Sequence, residues 1–507
     1  MNKDKHILVV GGGTAGWMAA SLLNRKLKSA GFTVSLLESS QIETIGVGEG
    51  STPYLAKFFS ALDIAENEWM TACNATFKTG IRFLNWSSVR GSEQYFHPFY
   101  SLVDFEHASQ FEYQTRLKRH FYDVEAHPDK YFLAQSLSCQ CKAPKATENF
   151  PFKLDYAYHF DAARLAQFLK EKAISAGVQH LTGTVDSVKL KNDGDIESLH
   201  LADGRRVQAD FFCDCTGFRS LLMQQNYQVK FISYQHRLLN DAAVALPTEL
   251  PTEIDKAIPS ATQSYALSSG WAWQIPLTNR YGNGYVYSSA HITAEQAEAE
   301  LKQHLGLDKN AEIPARHLKM RVGRLNKHWQ HNCIAIGLSQ GFIEPLEATA
   351  LHLVQYMIDQ FITLYQQGGY SNKYQDELNH KVNRQFDNIL DYVSMHYLTN
   401  SYQNSSYWQD ARRVPASEIQ NQILNDWHRG EDLAATLTRL RITDAYSSSS
   451  WHCLLAGSGY YRQDQQLRPI DVNIEQIDQD KISDFIRRCS LNYPDHNTYL
   501  KKMSAQS

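Results

Sequence analysis

Nowhere do about 18 consecutive apolar residues occur, which excludes an ordinary membrane-spanning helix. Charge of one sign is also missing. The 50 Lys and Arg are nearly balanced by 54 Asp and Glu, for a net charge of −4. That balance excludes a broad phosphate-binding surface, so nucleic acid is not an expected partner. Cysteine is sparse, at eight residues in 507. The two Cys-x-Cys pairs, Cys139/Cys141 and Cys213/Cys215, lack the spacing and the partner pair of a zinc site. No metal site is expected, and reduced thiols are. Apolar strand residues begin by His6, so no signal peptide is expected and the compartment reads as cytoplasm. Repeats, low-complexity tracts and a clear interdomain linker are missing too.

Aromatic residues, by contrast, make up 12% of the chain. They can serve as core, or as walls of a pocket for a flat organic molecule. The first organised stretch is the β-branched run His6–Val10, which suits a strand buried on both faces. It feeds Gly11-Gly-Gly13-Thr14-Ala15-Gly16-Trp17 and then a helix-forming sequence, which is G-x-G-x-x-G between strand and helix. Gly11 permits the tight turn, Gly13 lets a pyrophosphate reach the backbone, and Gly16 lets the helix pack on the strand. A second strand, Thr33–Leu37, ends in Glu38, where a carboxylate binds the ribose of an adenosine. A dinucleotide is expected, and NAD and FAD both fit. The glycine-interrupted segment Gln41–Pro53, with Ile45, Gly46, Val47, Gly48 and Glu49, has no helix or strand period. It reads either as a plain surface loop or as one lying along an extended cofactor.

Further on, Phe77–Trp86 alternates like a strand and contains Lys78, alone among apolar or small neighbours. Such a lysine either snorkels to solvent or, if it points into a cavity, acts as a nucleophile or hydrogen-bond donor. Tyr95–Tyr100 groups aromatics around a proline, and His97 and Phe99 are either core or the wall of a ring-binding pocket. Residues 105–150 show no clear period and are expected to be irregular, connecting to or covering the pocket. Asp161 is an expected N-cap. Val178–Val188 and Ile196–Ala209 read as strands with a hairpin turn at Asp203-Gly204, and Phe211–Cys215 as the second wall of the nucleotide site. In Gly270-Trp271-Ala-Trp273-Gln-Ile275-Pro276 the two tryptophans fall on one face of an extended strand.

The stretch Ala335–Gln355 draws these together. It opens as a strand, turns at Gly337-Leu338, and enters a helix after Pro345, with Glu344 and Glu347 beside the turn. Backbone N–H groups at such a strand-to-helix turn suit an anion or a flavin edge. Helical spacing from Leu353 to Tyr365 ends at Gly368-Gly369, Lys381–Leu398 reads as another helix, and the rest is expected to be mostly helical.

The Gly11–Trp17 motif, Lys78, the G-W-x-W-x-I-P run Gly270–Pro276 and Pro345-Leu-Glu-Ala-Thr349 together resemble the flavin-dependent tryptophan halogenase family, across essentially the whole chain. The resemblance implies an α/β plus α fold. A Rossmann-like FAD-binding box at 1–365, with inserted substrate-pocket segments, would carry a mostly helical module at 366–507, the whole forming one composite domain. It implies FAD, used as FADH2, with contacts at Gly11, Gly13, Thr14, Ala15, Gly16, Glu38, Ile45, Gly46, Val47, Gly48, Glu49, Val188, Gly337 and Leu338. It implies that a chloride or bromide ion at Thr349 and Ala350 is oxidised with O2 to hypohalous acid. Lys78 would then present the halogen to a small aromatic substrate, and Glu347 would orient that species and take up the proton. His97, Phe99, Glu344 and Pro345 would hold the substrate. Trp271, Trp273, Ile275 and Pro276 would line the tunnel and keep bulky molecules from the flavin. A separate NAD(P)H-dependent flavin reductase is the implied partner, and a homodimer is common in the family.

Two departures shape the expectation. Ala350 stands where the tryptophan-specific enzymes have glycine, which restricts the backbone at the halide site. Leu467, following Tyr460-Tyr461, stands where a glutamate for the amino acid's ammonium is expected. Indole, an indole derivative or another electron-rich arene is therefore expected rather than free tryptophan. The rival readings are a flavin monooxygenase that hydroxylates an arene and a flavin-binding protein without catalysis.

Overall fold

Every residue from Ile7 to Val10 is buried, because this strand lies in the middle of a parallel sheet whose two faces must both be covered. The order across the sheet is Trp329–Gln330, Cys333–Ala335, Phe211–Asp214, Lys5–Val10, Phe32–Glu38, Gln179–Thr182. Its neighbours pair in parallel, except at the antiparallel edge formed by Trp329–Gln330. One face carries the helices Thr14–Leu27, Ala162–Ser175 and Ala350–Gln367. Against the other, Leu8, Val10 and Leu37 pack with Ile196, Leu199, Leu222 and Met223. The computed structural model describes residues 5–40, 48–147, 149–250, 257–308, 312–402, 405–462 and 477–505.

Strand order reverses beside Lys5–Val10, since the chain continues to Phe32–Glu38 on one side and to Phe211–Asp214 on the other. In open α/β sheets that switch point is where a ligand binds, outside the carboxyl ends of the strands. Gly11 sits there with φ +116°, and a Cβ on it would stand 2.2 Å from the Cys215 carbonyl oxygen. The Asp161 carboxylate accepts from the Ala163 and Arg164 N–H groups, capping its helix as expected. The stretch expected as one strand from Val178 to Val188 is split. Gln179–Thr182 joins the parallel sheet, and Val185–Leu190 pairs with Ile196–Leu201 in a separate three-stranded sheet.

The chain divides into two units built from interleaved segments, one comprising 1–75, 160–235 and 321–387, the other 76–159, 236–320 and 388–507. The sequence expectation places a division near residue 365. The boundary falls at Asp387, inside the helix Gln375–Thr399. Each unit is built from segments that residues of the other unit separate in sequence.

The second unit has a seven-stranded sheet ordered Arg316–Lys319, Ala242–Thr248, Tyr281–Tyr287, Gly270–Pro276, Thr262–Leu267, Gly80–Leu84, Gln94–Pro98. Its helices pack around Phe111, Tyr131, Tyr392, Trp427 and Trp451. Residues 105–150 are not irregular throughout, for Phe105–Arg119 and Leu133–Cys139 are helices. The first of these hid its period by burying polar groups. His107, Ala108, Phe111, Gln114 and Thr115 form the inner face at helical spacing, so no apolar stripe shows. Among the described residues no helix is long and apolar enough to cross a membrane, and all eight cysteines are free thiols.

Gly11→Ala places a methyl group against a backbone carbonyl in a conformation that alanine rarely adopts. A destabilisation of about 1–3 kcal/mol is expected, read as a lowered Tm in a thermal melt. A melt identical to that of the native chain would show that the turn tolerates a side chain.

Candidate active site

At the glycine turn, Gly11 N–H donates to the Leu37 carbonyl at 2.8 Å and Cys215 N–H to the Val10 carbonyl at 2.8 Å. These bonds fix the crevice between the two neighbouring strand ends. The helix Thr14–Leu27 begins at Gly13 with no side-chain cap and no acidic residue in its first turn. Its first N–H groups thus have no intrahelical partner, and the helix dipole adds positive potential there. A Cβ built on Gly13 would meet nothing within 4 Å, so this backbone is open to approach. Glu38 lies over Gly12, where a Cβ would stand 1.6 Å from Glu38 Oε2. The same carboxylate accepts from Lys170 Nζ at 2.6 Å and contacts His180 Nε2 at 2.8 Å. An open anion cradle beside an oriented carboxylate fits the pyrophosphate and ribose of a dinucleotide.

Thr14, Ala15 and Gly16 open that helix, and Gly337, at φ +72°, presses on it: a Cβ there would stand 2.6 Å from Ala15 Cβ. Gly337 and Leu338 form a short 3-10 turn directly after the strand Cys333–Ala335. Gly48 and Glu49 lie in a short strand. Ile45, Gly46, Val47 and Leu467 lie outside the described residues. Val188 is half-buried in the strand Val185–Leu190 and packs against the apolar cluster of Leu8, Val10 and Leu37, a core position.

Past Gly337 the chain forms a 3-10 turn, Pro345–Glu347, and then the helix Ala350–Gln367. Glu344 is fully buried and Glu347 nearly so. The helix starts at Thr349 with no side-chain cap and no acid in its first turn, and Thr349 Oγ1 is buried with no hydrogen-bond partner among the described residues. Unspent N–H groups and a buried hydroxyl fit a small anion. The backbone restriction expected at Ala350 does not arise, because Ala350 is helical. The left-handed residue is Ala348, at φ +55° and ψ +37°.

In the second unit, Lys78 ends the strand Thr76–Lys78 and is only 1% exposed, so it does not snorkel to solvent. Its Nζ stands 5.6 Å from the centroid of the Phe99 ring, within cation–π range. His97, buried on the strand Gln94–Pro98, contacts Tyr392 Oη through Nε2 at 3.0 Å. The Tyr392 hydroxyl has one proton, which it gives to the Ser450 carbonyl at 3.0 Å, so His97 Nε2 is the donor to Tyr392. Trp271 and Trp273 lie on one face of Gly270–Pro276 with ring centroids 6.1 Å apart. Both are buried, as are Ile275 and Pro276, and Trp273 rests on Gly284, where a Cβ would meet its ring at 2.1 Å.

Sequence reading missed Asp214 and His159. Asp214 is fully buried and accepts from Thr216, Leu222, Met223 and Ser339. Its signal was an acid ending an otherwise apolar strand. His159 is fully buried beside Thr76, and burial first, then the Lys78 charge, holds its pKa well below the usual histidine value. Burial and, second, Asp161 raise the Glu49 carboxyl from 4.5 to about 7.

The sequence matches the family model described as tryptophan halogenase over residues 6–470. It is 33% identical to the 7-chloro-L-tryptophan 6-halogenase KtzR of Kutzneria sp. (strain 744), over 98% of this chain and 99% of that protein. The fold is similar to the tryptophan 6-halogenase SttH from Streptomyces toxytricini, with a TM-score of 0.83 and 31% identity, covering 98% of this chain and 100% of that one. It is likewise similar to BrvH, a flavin-dependent halogenase from Brevundimonas sp. BAL3, with a TM-score of 0.82 and 30% identity over 99% of each chain.

Because the folded Glu49 carboxyl sits at about 7 against an ordinary 4.5, folding favours its protonated form. That stabilising contribution is complete below about pH 4.5 and is lost as pH rises through about 7. Glu49→Gln, which stays neutral, should match the native Tm near the acid end of this window and exceed it increasingly towards about pH 8. Melts of the cofactor-free protein across that range check this, and a constant offset at every pH would contradict it.

Proposed function

The chain belongs to the tryptophan halogenase family and is a flavin-dependent halogenase, and from that premise we propose that it transfers an electrophilic halogen to an electron-rich, indole-type arene through Lys78. The observation carrying this reading is the burial of Lys78 against the Phe99 ring. An ammonium is costly to bury, and structural lysines reach for water instead. In the first unit, the cradle at Gly11, Gly13 and the start of Thr14–Leu27 would hold FAD, with Glu38 towards the ribose. The N-terminus of Ala350–Gln367, with Thr349, would hold chloride or bromide. When bound, the reduced flavin, supplied by a separate reductase, gives with O2 the oxidising equivalent that converts halide to hypohalous acid.

Lys78 handles that acid in one of two protonation states. The ammonium donates a hydrogen bond to the hypohalous oxygen, which polarises the O–halogen bond. The neutral amine attacks the halogen instead, forming an N–halogen bond and releasing water once the proton is transferred. In both cases an arene carbon takes the halogen, and the ring proton then leaves to a base, the role we assign to Glu347. Phe99 supplies a ring face for a flat substrate, and His97 is oriented by Tyr392 to flank it. Trp271 and Trp273, buried side by side, are the residues we assign to excluding bulky molecules. KtzR and SttH are named for tryptophan chemistry; here indole is the first substrate to test.

Lys78→Ala should abolish halogenation while FAD affinity stays unchanged. Glu347→Gln should slow turnover by about 10²–10⁴-fold, the usual worth of a positioned base. The assay is mass spectrometry of indole, and in parallel tryptophan, after reaction with FAD, a flavin reductase, NADH, O2 and bromide. The bromine isotope doublet, absent with Lys78→Ala, supports the reading. An oxygenated product formed without bromide would replace it with monooxygenation.

A further inference from the structure

The lysine strand is held by two buried histidines to which the proposed chemistry gives no role. Thr76–Lys78 runs antiparallel to Ala157–Asp161, with Thr76 opposite His159 and Lys78 opposite Ala157. Side chains two apart share a face, so Thr76, Lys78, His159 and Ala157 all project to one side. Ala157, opposite the lysine, keeps the space there free of a large side chain.

Hydroxyl proton counts fix the direction of the bonds around His159. Thr76 Oγ1 donates to the Pro276 carbonyl at 2.7 Å, which uses its one proton. In its 3.1 Å contact with His159 Nδ1 it must therefore accept, which puts the imidazole proton on Nδ1. Nε2 then accepts from Thr262 Oγ1 at 2.9 Å. The result is a one-way relay from Thr262 through His159 and Thr76 to the Pro276 carbonyl. It ties together the strands Thr262–Leu267, Ala157–Asp161, Thr76–Lys78 and Gly270–Pro276. A second proton on the fully buried ring would displace the Thr262 bond and face the Lys78 charge. The other histidine, His496, gives its Nδ1 proton to the Ile258 carbonyl at 2.9 Å and accepts the Phe77 N–H at 3.2 Å. Thr79 completes the clamp, donating its N–H and hydroxyl to the Ser260 carbonyl at 2.7 and 2.8 Å.

We infer that His159, kept as the neutral Nδ1–H imidazole, is the positioning residue for Lys78: it seats Thr76 on the Pro276 carbonyl and so fixes the lysine strand against the strand carrying Trp271 and Trp273. The inference rests on the reading of Lys78 as the halogen carrier. A small oxidant that misses a displaced amine escapes to solvent, so the signature of lost positioning is leakage rather than loss of oxidant formation.

The test compares His159→Phe, which keeps a ring but loses both bonds, with His159→Asn, whose amide nitrogen can replace Nδ1 towards Thr76. Three quantities are read with FAD, a reductase, NADH, O2 and bromide: O2 consumed, brominated indole, and bromination of a 1,3-diketone trap in solution. In His159→Phe, indole bromination should fall by about 10²-fold, as for a misplacement of about 1 Å. Trap bromination should rise while O2 consumption holds. His159→Asn should recover most of the indole product. Hydrogen–deuterium exchange of the peptide containing residues 76–79, measured on the cofactor-free protein, should quicken in His159→Phe and revert in His159→Asn. If His159→Phe does not fold, Thr76→Val breaks the same relay and should show the same leakage and faster exchange. Unchanged partition between indole and trap, together with unchanged exchange, overturns the inference. So does a parallel loss of O2 consumption, indole product and trap product in both variants. If the native protein brominates nothing, the reading of Lys78 fails, and the exchange comparison still decides whether His159 holds the strand.

Discussion

The carboxylate of Asp214 is the interaction on which the first unit's ligand-facing edge depends. It has no exposed surface and ends the strand Phe211–Asp214 at the switch point of the sheet. One oxygen accepts from the Thr216 N–H and hydroxyl at 3.1 and 2.6 Å and from the Ser339 hydroxyl at 3.1 Å; the other accepts from the Leu222 and Met223 N–H groups, each at 2.9 Å. An uncompensated buried carboxylate costs several kcal/mol, and charge-assisted bonds at this density offset that cost. They also tie three turns to one point: the turn after Asp214, the turn at Leu221–Asn226, and the Gly337–Ser339 turn that presses on the glycine-turn helix.

What was legible in the sequence was local. Strand, glycine turn, helix and Glu38 were readable because each constraint acts within some 35 residues and on residue types with few other uses. The G-W-x-W-x-I-P strand was readable for the same reason: two residues apart is one face of a strand. The helix Phe105–Arg119 was not, since its buried face is His107, Gln114 and Thr115 as much as Phe111. The interleaving of the two units was not either, because no local pattern records that the chain leaves one unit at residue 75 and returns at 160. Asp214 and His159 were in plain view as residues, but their importance lies in partners up to 125 positions away.

The anion end of the first unit shows how one substitution can be misjudged from residue type alone. Alanine in place of glycine at 350 suggests lost conformational freedom, yet the helix begins there and asks only for negative φ. The unusual geometry sits two residues earlier, at Ala348, where a non-glycine residue adopts a left-handed conformation that costs of order 1–3 kcal/mol. Such strain persists only where surrounding structure overdetermines it. Here the Ala348 N–H bond to the Pro345 carbonyl, at 3.0 Å, closes the 3-10 turn on one side, and the helix begins on the other. The strained residue thus separates Glu347 from Thr349, and allows a buried carboxylate and an anion-favouring helix terminus to follow each other in sequence.

In the second unit the same economy of polar groups protects a different charge. A buried lysine tolerates neutral dipoles around it and an aromatic face, but not a second cation. His159 and His496 are both buried and both held below the usual histidine pKa, His496 at about 4, chiefly by burial. At neutral pH they are uncharged and each accepts one hydrogen bond and donates another. Two histidines near a lysine would ordinarily suggest proton transfer. Their fully committed nitrogens argue the opposite, that they serve as rigid donors and acceptors. Pro276 fits that arrangement: it has no N–H to satisfy, and its carbonyl is the terminus on which the Thr262–His159–Thr76 relay ends. The proline of the tryptophan motif and the lysine strand are therefore one mechanical element.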